Sequence, residues 1–414
     1  MTVIEAPRGL HNVVVTTTSI GDVRGDEGFY HYRQYSAIDL ALTGTFEDAW
    51  FLMVEGRLPD GTERAEFLRT VAPLRILPDD VAAAVRTVAR SGPEQPLLAL
   101  RTVLSGLAGA VPLYESAESD KRTTALRLCA MTPTILAAVH RIRSGKEPVE
   151  PRQDLTTAQN WLYMITGDAP DAVGARAVDR YLTATIDHGF NASTFTARVV
   201  ASTGSDIASA VCAAIGAFAG PLHGGAPDRA LDGLDEIADV DSADAWARSK
   251  ITAGERIMGF GHPVYRTDDP RSVMLRETAQ EMGGELIDKA VQVEKIIAAA
   301  LEDLKPDRKL YANVEYYAGV VMELCGIPRS MFTPTFACSR MVGWCANIVE
   351  QSHDSKIIRP IARYDGPVPS AVARLSAAQG LSHFDGGASR VSRRPIVGGA
   401  GQCVGGEGLS TGRS

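Results

Sequence analysis

The chain has 414 residues, enough for two or three domains at about 150 residues each. Its 45% hydrophobic and 22% charged residues are an ordinary globular balance, which excludes a disordered chain, a collagen-like repeat and a membrane-embedded bundle. With 42 Lys+Arg against 50 Asp+Glu the net charge is −8, so neither nucleic acid nor a membrane surface is an expected partner, and an anionic ligand must be held by a few local arginines.

The opening residues, MTVIEAPRGLHNVVV, show no basic region followed by an apolar core, so no secretory signal is expected. No apolar run reaches the roughly 18 residues of a spanning helix. Residues 11–36, HNVVVTTTSIGDVRGDEGFYHYRQYS, mix β-branched residues with Gly and Asp and predict a few short strands and turns. From Thr45 the pattern turns helical. TFEDAWFLMVEGRLP offers Thr45 as an N-cap, Asp48 three residues later, an apolar run, and Gly56 and Pro59 as stops. Similar punctuation predicts helices over 79–90, 122–144, 156–165, 170–188 and 206–218, with Ala-rich, helix-favouring sequence between them. The chain reads as mainly α, without a 20–50-residue repeat. Residues 380–414 hold ten glycines and the cluster Arg390, Arg393 and Arg394, the composition of a flexible tail. The six cysteines (Cys129, Cys212, Cys325, Cys338, Cys345 and Cys403) form no C-x-x-C pair, which suits buried thiols in a cytoplasmic protein better than disulfides or a zinc site.

Common site motifs fail. Gly259-Phe260-Gly261 is followed by Val264 where a dinucleotide fingerprint needs Gly, and Gly145-Lys146 has His140 where a P-loop needs its first Gly. Three histidines stand out instead: His188 in DHGFNASTF, His223 in GPLHGGAPD and His262 in GFGHPVYRTDDPR. Glycines beside His223 and His262 let backbone approach a ligand closely. A helix starting after His223 would favour a neutral imidazole, able to donate to a developing oxyanion. Arg271, Arg340 in FACSRMVGWCA and Arg359 in KIIRP are cations in or near apolar sequence. Each fits either a structural ion pair or a grip on a small di- or tricarboxylate. Glu315, in YANVEYYAGVV, has the apolar neighbours that raise a carboxyl pKa and make a general base.

In this order, HGFNASTF, GPLHGGA, GFGHPVYRTDDPR, NVEYYAGVV, FACSRMVGW and KIIRP resemble the citrate synthase family over residues 7–367. The resemblance implies a mostly helical homodimer whose two domains close over substrate. The large domain would comprise 1–224 and 329–375, the small domain 225–328, with 376–414 as the tail. It implies that His223 stabilises the enol of the acyl-CoA, that His262 polarises the ketone of oxaloacetate, and that Glu315 removes the α-proton. Oxaloacetate would meet His188, Arg271, Arg340 and Arg359, the last from the neighbouring subunit. CoA would lie near Met258, Gly259, Phe260, Gly261, Arg266 and Lys356. No metal or cofactor is implied, since the thioester drives the reaction.

Two residues depart from the family pattern: Glu315, where Asp is usual, and Gln34, where Gly is frequent. The extra methylene of Glu315 moves the carboxylate by about one bond, and a 1 Å misplacement can cost on the order of 100-fold in rate. The chemistry nevertheless needs these residue types, because a thioester α-carbon is too weak an acid to ionise freely. A carboxylate base and a donor aimed at the oxygen each contribute roughly 10²–10⁴-fold. The leading expectation is condensation of acetyl-CoA with oxaloacetate to citrate. The alternative is 2-methylcitrate from propionyl-CoA, since one methylene in an apolar pocket is worth only about 1–3 kcal/mol. A third reading is a CoA- or dicarboxylate-binding homologue impaired by Glu315, against which stands the joint presence of His223, His262 and the arginines.

Overall fold

The computed structural model describes residues 4–109, 111–223, 227–262, 264–306 and 309–367; the tail read over 380–414 lies outside them. The described residues up to Arg359 form one compact unit, to which 360–367 do not belong. Among the described residues no helix is long and apolar enough to cross a membrane.

The N-terminal region forms an antiparallel meander of β1 (Gly21–Arg24), β2 (Phe29–Tyr32) and β3 (Tyr35–Ser36), with Val23 opposite Tyr30 and Tyr32 opposite Tyr35. The β-branched residues at 13–18 join no strand. In the turn between β2 and β3 the left-handed residue is Arg33, at φ +50, and not the neighbouring Gln34. Period-two alternation puts Tyr30 and Tyr32 on one face. Both are buried, and their hydroxyls donate to the carbonyls of Ala184 (2.8 Å) and Thr183 (3.0 Å).

Sixteen α-helices among the described residues carry the rest. After α1 (Ala37–Thr43), α2 (Phe46–Glu55) starts and stops where the sequence predicts: Thr45 and Asp48 close a reciprocal capping box, and Gly56, at φ +78, ends the helix. Next come α3 (Gly61–Val71), α4 (Asp79–Ser91), α5 (Pro96–Ser105) and α6 (Glu118–Arg143), the last beginning about a turn before the expected 122. The helices α7 (Thr157–Thr166), α8 (Ala172–Ala184), α9 (Ala192–Ala201) and α10 (Ile207–Phe218) are capped by Thr156, Asp171, Asn191 and Asp206, whose side chains accept first-turn amides. The C-terminal group is α11 (Pro227–Glu236), α12 (Ala243–Thr252), α13 (Pro270–Met282), α14 (Glu285–Leu304), α15 (Val314–Leu324) and α16 (Phe332–Gln351).

The helix predicted over 170–188 ends instead at Ala184. Thr185 turns its hydroxyl back onto the Tyr181 carbonyl at 2.7 Å. The chain then crosses Gly343 of α16, where a Cβ would lie 2.1 Å from the Ile186 carbonyl oxygen. Since α16 is buried along most of its length, this close approach plants the loop carrying His188 against the core.

Candidate active site

Half of the site is built on that loop, on α9 and on α16. His188 is half-buried; its Nε2 shares a hydrogen bond with Tyr265 Oη at 2.9 Å, and its ring meets the His262 ring edge-on at 5.5 Å. Burial, then the Arg271 charge, hold its pKa well below the usual value. Asp187 beside it is buried, accepts from Asn347 Nδ2 (3.1 Å) and the Gly189 amide (3.2 Å), and is pushed up to about 6 by burial.

His223 lies in the turn after α10. Its Nε2 takes the Ser193 backbone N–H (3.3 Å) and lies 2.8 Å from Ser193 Oγ. A backbone N–H only donates, so Nε2 is an acceptor and the ring proton resides on Nδ1. Burial, then Arg340, lower His223 to about 4, so the imidazole is neutral near pH 7. Ser193 is itself fixed, with its Oγ accepting from Trp344 Nε1 at 3.0 Å and its one proton shared between His223 Nε2 and Asn191 Oδ1, each 2.8 Å away.

The other half is a pinned pair of segments. Phe260 bridges to Ala312, the Gly261 amide donates to the Tyr311 carbonyl (2.8 Å), and the Asn313 amide donates to the Gly259 carbonyl (2.8 Å). On this strip His262 Nδ1 accepts the backbone N–H groups of Val264 (3.0 Å) and Tyr265 (3.1 Å), which leaves the proton on Nε2. Arg271 Nη2, also a donor, stands 3.3 Å from that Nε2. Two donors cannot satisfy each other, so the pair is suited to a common acceptor such as a ligand carbonyl or carboxylate oxygen. Burial, then Arg271, lower His262 to about 4.

Glu315 occupies the first turn of α15, where Asn313 Oδ1 accepts its N–H at 3.0 Å while Asn313 Nδ2 donates to the Gly261 carbonyl at 3.0 Å. Burial pushes Glu315 up to about 7, against the lowering pull of Arg271. Asp269 binds the two segments together: it caps α13, takes Arg271 Nε (3.0 Å) and Nη2 (2.7 Å), and accepts the Val314 amide (3.2 Å). Burial opposes its ionisation, but the Arg271 charge and hydrogen bonds win and hold its pKa below the usual carboxylate value.

Arg340 is buried, donates Nε to the Thr185 carbonyl at 3.0 Å and stacks over Phe336 at 4.7 Å. Among the described residues no carboxylate lies within 4 Å of it, although Asp187 acts on it through space. A cavity of about 300 Å³ opens beside His262, lined also by Gly261, Tyr265, Arg266, Asp269 and Lys309. Gly259 and Gly261 adopt φ +85 and +84 along the strip, next to half-buried Met258 and Phe260. Arg359 and Lys356 are exposed and are not brought into contact with these groups. Among the described residues no cluster of three or more His, Cys, Asp or Glu is arranged to hold a metal.

Sequence reasoning missed Asp187, Ser193, Tyr265, Asp269, Lys309 and Asn313. Asp269-Pro270 and Asn313 do carry a local signal, since each is an N-cap type ahead of a helical run. Their second bonds reach other segments and leave no local trace.

The chain matches the family described as citrate synthase, C-terminal domain, over residues 9–361. The citrate synthase of Deinococcus radiodurans is 38% identical over 361 residues, covering 87% of this chain and 95% of that protein. Citrate synthase 2 of Bacillus subtilis is 38% identical over 369 residues, covering 87% and 96%. The crystal structure of citrate synthase from Thermotoga maritima superposes with a TM-score of 0.78 at 34% identity, covering 88% of this chain and 97% of that one. The ternary complex of carboxymethyl coenzyme A and oxaloacetate with citrate synthase from Thermoplasma acidophilum gives 0.81 at 27% identity, covering 89% and 98%. This mainly α chain therefore belongs to the citrate synthase family. It is an enzyme of the citrate synthase type.

Proposed function

We propose that the enzyme condenses acetyl-CoA with oxaloacetate and hydrolyses the resulting thioester to citrate and free CoA. Glu315 takes a proton from the acetyl methyl group, while the His223 Nδ1–H stabilises the enol oxygen. The enol carbon attacks the oxaloacetate ketone, polarised by the His262 Nε2–H, and water then cleaves the thioester. Oxaloacetate carboxylates are held by Arg271, Arg340 and His188, with Arg359 reaching in from the second subunit of a homodimer. CoA lies along Met258, Gly259, Phe260 and Gly261, its phosphates near Arg266 and Lys356. The domains 1–224 with 329–375, and 225–328, close around both substrates. The five free cysteines among the described residues suit a reducing cytoplasm.

The observation that carries this reading is the fastening of Glu315, through Asn313 and Asp269, to the loop that presents the His262 Nε2–H. A base that titrates near neutrality and a donor left for a ligand oxygen are what enolisation followed by carbonyl attack requires. Release of CoA, followed with a thiol reagent in the presence of oxaloacetate, tests it. Acetyl-CoA is expected to give the higher kcat/KM. A tenfold preference for propionyl-CoA would make the product 2-methylcitrate, and no release from either thioester would overturn the reading.

A further inference from the structure

Asp187, next in sequence to His188, is a carboxylate that the proposed reaction does not use. It is buried in the loop between α8 and α9. Its two oxygens have one hydrogen-bond partner each, and both partners are neutral: Asn347 Nδ2 on Oδ1 and the Gly189 amide on Oδ2. Among the described residues neither oxygen has a cation within 4 Å. Burying a carboxylate with so little compensation is costly, and its charge survives only if positive charge acts from further off.

Two arginines supply that charge, Arg340 from α16 more strongly than Arg198 from α9. Arg198 is committed elsewhere: it pairs with Glu350, and its Nε donates to Asn347 Oδ1 at 2.8 Å, which places Asn347 between it and Asp187. The other titratable neighbours, Tyr32 from β2 and the adjoining His188, bring no positive charge, because burial pushes the Tyr32 phenol up and holds the His188 imidazole down. Arg340 is therefore the main support of the Asp187 anion, and it is also a residue proposed to receive a carboxylate of oxaloacetate. In a buried site one guanidinium cannot serve both fully. A dianion on Arg340 and Arg271 offsets the charge on which Asp187 depends and adds a like charge nearby. We propose that Asp187 takes up a proton when oxaloacetate binds, so that the site receives the substrate dianion with this carboxyl neutral. The inference rests on the reading of Arg340 given above.

Asp187 starts close to the change, since burial already pushes it up to about 6. A further rise of about one unit on binding means uptake of about 0.4 proton per oxaloacetate at pH 7. By linkage the same rise makes oxaloacetate about fivefold tighter at pH 6 than at pH 8. Saturating oxaloacetate hides the effect, so it does not enter the pH profile of CoA release.

Glu315→Gln in the full chain is the background for the test, because Glu315 itself titrates near neutrality. Oxaloacetate is titrated calorimetrically into this protein at pH 7 in two buffers of different ionisation enthalpy, which counts the protons exchanged. Uptake of at least the stated size is expected, and adding Asp187→Asn is expected to abolish it while oxaloacetate still binds. Difference infrared spectra of the Glu315→Gln protein, which need no change at 187, should gain a protonated-carboxyl band with oxaloacetate. Binding without uptake, uptake without that band, or uptake that persists in Asp187→Asn would each overturn the inference and leave the reading of the site standing. Failure of oxaloacetate to bind would overturn both.

Discussion

A carboxylate in the first turn of a helix is ordinarily favoured as the anion by the helix dipole, yet burial carries Glu315 up to about 7. Its ionised fraction, the form that accepts a proton, therefore grows as pH rises through 7. His223 and His262, both lowered to about 4, remain neutral across the same range and contribute no limb there. The kcat/KM for CoA release should climb about tenfold per pH unit below 7 and level off above it. Glu315→Gln keeps the shape and removes the basicity, so this limb should vanish and the rate fall by roughly 10²–10⁴-fold. Oxaloacetate affinity should barely change, because the residues proposed to hold that ligand are intact. Glu315→Asp separates residue type from reach. Since Asn313 and Asp269 fix the backbone around the longer side chain, shortening it should also slow the enzyme. Near-normal turnover of Glu315→Gln would place the base elsewhere.

Among the elements, α15 owes its start to one residue with two jobs. Asn313 accepts the Glu315 amide and donates to the Gly261 carbonyl, so it both caps the helix and laces it to the strip carrying His262. Asn313→Asp keeps the accepting oxygen and loses the donor. It should unfold at nearly the parent temperature, while kcat falls roughly 10–100-fold through misplacement of Glu315. Asn313→Ala loses both bonds and should in addition cost about 1 kcal/mol of stability; thermal unfolding read beside kcat distinguishes the two. Such double roles mark the limit of what a sequence discloses. The box of Thr45 and Asp48 with the Gly56 stop is legible because every bond in it is local. The end of α8 at Ala184 is not, because it is set by the missing Cβ of Gly343, far along the chain. His262, Arg271 and Glu315 could be picked out from glycine, charge and apolar setting. Asp269 could not, because its decisive bond is to an amide 45 residues away.

At the scale of the whole molecule, Arg359, like Lys356, is proposed for a site to which its own chain does not deliver it. It is exposed, and its neighbour Ile358 is tied to Ser202 Oγ at 3.0 Å, just past the C-terminal end of α9. Ser193, which fixes His223, sits in the first turn of that same ten-residue helix, about 15 Å long. A residue at one end of α9 is badly placed to serve the other end, which is why Arg359 is assigned to the site of a second subunit in the proposed homodimer. Arg359→Ala and His223→Ala homodimers should each be nearly inactive, while mixed subunits should recover activity in the one site that keeps both residues. Verified heterodimers without recovery would put Arg359 outside the shared site. The lacing of 259–261 to 311–313, closed by Asp269, has a mechanical consequence. His262, Arg271 and Glu315 form a single jig, and in the proposed reaction any swing that admits or releases substrate would carry it whole. The tolerance between the proposed base and the proposed polarising donor would then be set once, at folding, and only the alignment with His223 would have to be remade at each turnover.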